Sequence, residues 1–367
     1  MTKLNRRTAL TALGGALAMP YVQPAWAQAR RVNVYNWADY IGETTLEDFE
    51  AATGITPIYD TYSSAEEMEA KMLAGSTGYD VAFSAGISSP RFIQAGVYQE
   101  LDKSRLSGWS NLNPEILRIM NGWDDGSKYG VPYMWGTVGF TFNMDLVRER
   151  LPEADLTSMD ILFDPANAAA LADCGISILD SPTDIMLMVL RYLGLDGDTT
   201  NVADYDKVVE AFRPIRQYIR TFDNANYLNA IPNGELCMVN NWSGDYATAR
   251  WRAEEAGIEM DLAYFVPKTG APAWIDVMSI PADAPNMDEA YEFINFMLQP
   301  DVAAGCVNYV NYASANAAAD PFIEDYIIND PAVYPDAETL SRIWAPKPFN
   351  EEQDRAMTRA WQQIKTG

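Results

Sequence analysis

The 367-residue sequence contains no histidine. That absence removes the commonest general base near neutral pH and the commonest metal ligand. Ser-His-Asp and Cys-His nucleophile arrangements go with it. Positive charge is scarce: 26 Lys and Arg stand against 51 Asp and Glu, a formal net charge of −25. Phosphate backbones demand clustered Lys and Arg, so nucleic acid is a poor partner, and anionic lipid another. The overall field favours a cationic small molecule, although acidity also serves solubility alone. No glycine-rich phosphate motif is present, so nucleotide hydrolysis is not expected. Beyond the N-terminus no run of about 18 apolar residues occurs, so no stable membrane insertion is expected. No metal and no cofactor are expected. There are three cysteines. They allow three pairings, and spacing alone does not choose between them.

The N-terminus carries an address. Lys3, Arg6 and Arg7 form a basic head, and an apolar run from Ala9 to Val22 follows, broken by Gly14, Gly15 and Pro20. Ala25-Trp26-Ala27 has the small-x-small pattern of a cleavage site. Residues 1–27 therefore read as a signal peptide, and Arg6-Arg7 followed by Leu10 points to the twin-arginine route. The segment holds three basic residues and no acidic one, so its removal leaves a formal charge of −28. Export to an oxidising compartment makes a disulfide feasible. Cys174 and Cys237 each stand beside a strand-like run, whereas Cys306 lies in a helical pattern of small residues and reads as a buried free thiol.

The remainder suits two lobes. Alternating side chains predict strands at Arg31–Trp37, Ile55–Tyr62, Tyr79–Phe83, Pro132–Asn143, Ile176–Asp180, Leu236–Asn241, Asp261–Val266 and Trp274–Ile280. Helical patterns occupy Thr44–Thr53, the segment from Ser64 through Leu73, Arg91–Ala95, Asp184–Leu193, Tyr205–Phe222, Asp245–Ala256, Met287–Leu298, Pro300–Val307 and Glu351–Ile364. Ser63 and Ser64 precede Glu66 and Glu67 as a capping box does. Strands alternating with helices define an α/β fold with a ligand cleft between lobes. The expected boundaries are 28–136 with 266–318 for the first lobe, and 137–265 with 319–367 for the second.

Aromatic residues stand next to carboxylates at strand and helix ends. Trp37, Asp39 and Tyr40 follow the first strand; Trp242 and Asp245 mark a strand-to-helix junction; Trp274 and Asp276 open a late strand. Asp184 starts a helix and Tyr312 follows one. Apolar walls, π-faces and spaced carboxylates are what a flexible diamine or triamine requires. Each residue alone has a plainer reading: an aromatic core position, a helix cap at Asp245, a turn at Asp39.

Longer motifs add a resemblance. VYNWADYI at 34–41, LAGSTGYDV at 73–81, PYMWGTVGF at 132–140, NNWSGD at 240–245, DVMSIPADA at 276–284, DEAYEFINFML at 288–298 and NYASAN at 311–316 run in this order. In them the chain resembles the periplasmic putrescine- and spermidine-binding proteins of bacterial ABC transporters, over nearly its whole length. The resemblance implies a two-lobed periplasmic binding protein of type II-like fold, working as a monomer with permease subunits and their ATPase. It implies that Trp37, Tyr40 and Trp242 box an alkyl chain, that Trp274 stands at a binding position held by Trp or Phe, and that Asp245 and Asp276 hold one terminal amine. Asp39, Ser84 and Tyr312 are implied as further cleft contacts, and Asp184 as the contact near the other end. It also implies a Cys174–Cys237 disulfide. Ala38 stands where a Ser or Thr is common, and Asp184 where Glu is usual. Two rival readings are a binding protein for another cationic or amino-acid ligand and a carboxylate-dependent glycoside hydrolase. No Arg stands in the motifs to meet an amino-acid carboxylate, and no pair of acidic residues is singled out for glycoside cleavage.

Overall fold

The structure, a computed structural model, describes residues 30–367. The expected signal peptide, its arginine pair and its cleavage site lie outside the described residues. Nine strands and nine helices suffice to place the site. β1 (Arg31–Trp37) leads to α1 (Thr45–Thr53), which stops at Gly54 in the left-handed conformation. A φ of 69° there is one that glycine adopts without strain. β2 (Thr56–Tyr62) is followed by α2 (Ala65–Ala74), whose N-cap Ser64 accepts the Glu67 N–H at 3.2 Å, as the capping pattern predicts. β3 (Val81–Ala85) starts two residues later than expected. Asp80 is occupied instead in tying β1 to a distant loop, accepting the backbone N–H of Asn33 at 2.7 Å and of Asn286 at 2.6 Å.

The chain then enters β4 (Gly130–Asn143), buried along its whole length. Beyond it come β5 (Ile176–Ile178), α3 (Pro182–Tyr192), α4 (Ala203–Phe212), β6 (Ile219–Phe222), α5 (Tyr227–Ala230), β7 (Met238–Trp242), α6 (Ser243–Glu255), β8 (Leu262–Phe265) and β9 (Ala271–Ser279). The C-terminal part is largely helical, with α7 (Met287–Met297), α8 (Pro300–Val310) and α9 (Glu351–Thr366).

One expected element is corrected. Tyr205–Phe222 is not a single helix: α4 ends at Phe212, and Ile219–Phe222 is a strand parallel to β5. Phe212, Ile215, Ile219 and Phe222 keep a helical spacing, which is why periodicity misled. Pro214 decides the matter, because it has no N–H for the helical ladder and its ring crowds the preceding turn.

The strand order is β2-β1-β3-β9-β4-β7-β5-β6. β1 pairs in parallel with β2 and β3, and β5 in parallel with β6 and β7, so each end of the sheet is an α/β unit. β4 joins them. Its first half pairs with β9 from Gly130↔Ser279 to Thr137↔Ala273. Its second half pairs with β7 from Val138↔Trp242 to Phe142↔Met238, and with β8. The molecule is thus a two-lobed α/β protein whose lobes meet along a shared strand. Helix α9 packs against α3 and α4, and its Trp361 Nε1 and Lys365 Nζ reach the Asp180 carboxylate at 2.6 and 2.9 Å.

Cys174 and Cys237 form a disulfide with Cα atoms 5.5 Å apart, and Cys306 is a buried free thiol. The bridge joins the entries of β5 and β7 across a sequence separation of 63. Closing a loop of that length in the unfolded chain is worth on the order of 2–5 kcal/mol. The double variant C174S/C237S should therefore keep its fold with a clearly lower melting temperature by differential scanning calorimetry.

Candidate functional site

The site forms where β1 and β7 end and the interior of β9 runs beside the middle of β4. Strand β1 stops at Trp37, whose ring lies on Tyr62 with centroids 4.5 Å apart. The chain then turns through Asp39 at a φ of 54° and buries Tyr40. Tyr40 meets Tyr133 edge-on at 5.4 Å and Tyr312 at 6.0 Å. Tyr312 follows α8, and its ring stands perpendicular to Trp274 at 4.8 Å. Tyr133, Tyr40, Tyr312 and Trp274 form a continuous aromatic wall, and Tyr62, which carries Trp37, feels the charge of Asp276 nearby.

Two glycines let the wall close. A Cβ at Gly136 of β4 would overlap the Trp274 ring, and one at Gly244 of α6 would overlap the Tyr312 ring. Both rings lie flush on backbone, which a larger residue would forbid.

Two carboxylates, Asp276 and Asp245, adjoin this wall, and a third, Asp184, stands beside them. Asp276 in β9 is buried, and burial pushes its carboxyl up to about 7, with the Tyr40 hydroxyl acting in the opposite direction. Asp245, in the first turn of α6, is pushed up to about 6 by the same cause. It accepts the hydroxyl protons of Tyr227, on Oδ2, and of Tyr312, on Oδ1 at 3.0 Å. Asp184, in the first turn of α3, also rises to about 6 through burial, and accepts Trp242 Nε1 at 3.2 Å. Among the described residues none of the three forms an ion pair. Enclosed negative charge without a cation is costly, because solvation is lost and nothing replaces it. Trp37 Nε1, Tyr40 Oη and Trp274 Nε1 likewise have no hydrogen-bond partner among the described residues. Of these only the hydroxyl can also accept.

The structure thus brings together Trp37, Tyr40, Trp274, Asp276, Tyr312 and Asp245, with the Trp242–Asp184 pair beside them. Tyr264 feels the charges of both Asp245 and Asp184, which links the two parts. Two expected residues stand apart. Asp39 is exposed and lines an outer groove of about 840 Å³ with Trp251, Tyr309 and Tyr326. Ser84 is buried in β3, where its Oγ accepts the Tyr98 hydroxyl at 2.9 Å. Ala85 is the residue paired with Asp276, so strand alternation puts Ser84 on the other face.

Sequence reading missed Tyr227, Gly136 and Gly244. Tyr227 lies in a short helix within a polar stretch that carries no motif. Both glycines sit inside quoted motifs, but only the packing shows what they admit. Gly244→Ala should displace the Tyr312 ring and cost about 1–3 kcal/mol, the usual penalty of overpacking. Chemical denaturation with tyrosine fluorescence would measure it.

A family model for bacterial extracellular solute-binding proteins matches residues 44–335. The chain is similar to the putrescine-binding periplasmic protein PotF of Escherichia coli (strain K12), 39% identical over 369 residues and covering 100% of both chains. It is similar to the putrescine-binding periplasmic protein SpuD of Pseudomonas aeruginosa (strain UCBPP-PA14), 40% identical over 360 residues, with 98% of this chain and 97% of the relative covered. Among solved structures it is similar to the spermidine/putrescine ABC transporter substrate-binding protein PotD from Streptococcus pneumoniae, with a TM-score of 0.81 and 27% identity. That match covers 92% of this chain and 99% of the other. These relatives are named as binding proteins, not enzymes. With the family model spanning both lobes, the chain belongs to the bacterial extracellular solute-binding proteins.

Proposed function

We propose that the protein captures a polyamine, putrescine or spermidine, in the periplasm and hands it to the permease subunits of an ABC importer. The observation that carries this reading is the set of three carboxylates, Asp184, Asp245 and Asp276, that burial disfavours as ions and that form no ion pair among the described residues. A ligand with ammonium groups at both ends supplies the missing charge. The names of the similar proteins agree with it.

Each residue then has a role. Asp276 and Asp245 hold one ammonium, and the Tyr40 hydroxyl oxygen accepts from it. Trp37, Trp274 and Tyr312 enclose the methylenes. Trp242 forms the wall at the other end and fixes Asp184, which meets the second amine directly or through a water. Asp39 and Ser84 serve at most the rim and the back of the site. A cation over an aromatic face contributes about 0.5–2 kcal/mol. A charged hydrogen bond contributes about 1.5–3 kcal/mol, so a few of each suffice for micromolar binding after ordering costs. Residues 28–136 with 266–318 and 137–265 with 319–367 act as the two lobes and close on the ligand by rotating about the strands they share. Export with cleavage after Ala27 and a monomeric state complete the reading. Among the described residues no helix is long and apolar enough to cross a membrane.

Calorimetric titration with putrescine, spermidine, spermine, cadaverine and agmatine tests the claim. At least one should bind at micromolar level, and nothing tighter than about millimolar for all of them would end the polyamine reading. Asp276→Ala should weaken binding by roughly 2–5 kcal/mol, since it removes the partner of a buried charge.

The same site dictates a pH dependence. Burial raises all three carboxyl pKa values, so the ligand-free folded chain holds protons more tightly than the unfolded chain. Their favourable contribution is fully present below about pH 4 and is lost as pH rises through 6 to 7. A polyamine stays charged across this range and binds the ionised form. The rise in melting temperature that it produces should therefore be larger at pH 8 than at pH 5. An equal rise at both would separate binding from these carboxylates.

A further inference from the structure

Asp245 is held on both oxygens by phenols from different parts of the fold. Tyr312, beside the aromatic wall, donates to Oδ1 at 3.0 Å. Tyr227, on α5 behind the wall, donates to Oδ2. Tyr227 is 2% exposed, so the hydroxyl has left water and must be satisfied inside the protein. Helix α5 is fastened to α6 a second time, by Arg252 Nη1 donating to Asn229 Oδ1 at 2.6 Å. The two contacts fix the short α5 along the helix that carries Asp245. Tyr227 also lines a cavity of about 340 Å³ with Arg220, Asp223 and Leu236.

We propose that Tyr227 is a positioning residue for ligand capture, holding the Asp245 carboxylate in place and in its ionised form for the incoming ammonium. The inference rests on the polyamine reading of the site and adds to it a residue outside the ligand-lining set. A phenol can donate to a carboxylate but gives it no charge, so the ion remains free to attract a cation. Lysine at this position would neutralise the site; phenylalanine would leave the carboxylate with Tyr312 alone. The charged and titratable groups around Asp245 are Tyr227 from α5, Tyr312 after α8, Tyr264 in β8 and Arg252 on its own helix. Asp223 faces Tyr227 from the turn after β6. Of the groups acting on Asp245, burial raises its pKa, and Tyr227, then Tyr312 and Arg252, lower it. Loss of the Tyr227 hydroxyl must raise it further.

The test is Tyr227→Phe, which deletes one oxygen and keeps the ring. Putrescine and spermidine affinities of wild type and variant would be measured from pH 5 to pH 9. Asp184 and Asp276 titrate in both proteins, so their effects cancel in the ratio. The variant should bind about tenfold more weakly at the acidic end, as expected for one hydrogen bond to a charged group. The loss should shrink toward the alkaline end, where Asp245 is ionised in both proteins and only the looser placement of its carboxylate remains. A loss of the same size at every pH, or no loss, overturns the proposal. A second readout needs no ligand. The Asp245 carboxyl carbon, followed by NMR in the free protein, should titrate at higher pH in the variant; an unmoved midpoint overturns the proposal. A third readout leaves Tyr227 in place: its hydrogen-bonded hydroxyl proton should be visible in the wild-type spectrum and shift on Asp245→Asn. Its absence counts against the contact itself. Wild-type protein that binds neither polyamine would sink the polyamine reading, while the two NMR measurements still decide the role of Tyr227.

Discussion

The protein encloses negative charge that no ion pair among the described residues meets. Asp276 is buried and Asp184 and Asp245 are half-buried, yet none has a Lys or Arg partner among the described residues. Elsewhere the fold pairs its carboxylates readily: Asp180 meets Lys365 and Asp330 meets Arg250. The difference marks the cleft. An ion taken out of water pays a solvation cost that only a counter-charge or strong donors can offset. Here neutral donors stand in for a counter-charge at two of the three: the Tyr227 and Tyr312 hydroxyls at Asp245 and the Trp242 indole at Asp184. The aromatic wall follows from the same constraint, because it excludes water while presenting π-faces that a cation tolerates.

The backbone makes this arrangement possible through two small residues. Gly136 and Gly244 stand on different strands and helices, yet both remove a Cβ where a ring must pass. Trp274 and Tyr312 are thereby pressed against main chain rather than against mobile side chains. Rigid walls reduce the ordering cost that ligand binding would otherwise carry. The Tyr227 contact works in the same direction, fixing the carboxylate itself.

Much of this was legible in the sequence, and the exceptions have physical causes. Strand alternation located β1, β2, β4, β7 and β9, because each has a buried and a partly exposed face or a continuous apolar run. The motif aromatics Trp37, Tyr40, Trp242, Trp274 and Tyr312 do gather. Asp39 and Ser84 share those motifs but not the cleft: a left-handed turn carries Asp39 outward, and the two-residue period turns Ser84 to Tyr98. Neither effect shows in residue type. The break of the helix at Pro214 was overruled in reading by apolar spacing that continued past it. Tyr227 left no trace, since its partner lies 18 residues away on another element and nothing local announces a contact of that kind.

Strand β4 has a further consequence. Its fourteen residues, all buried, supply hydrogen bonds to β9 on one half and to β7 and β8 on the other. Neither lobe owns it. If the second lobe melted, the second half of β4 would lose β7 and β8, and if the first lobe melted, the first half would lose β9. Independent melting would leave half of a buried strand exposed and unpaired, so the stability of each half of the sheet is coupled to that of the other through β4.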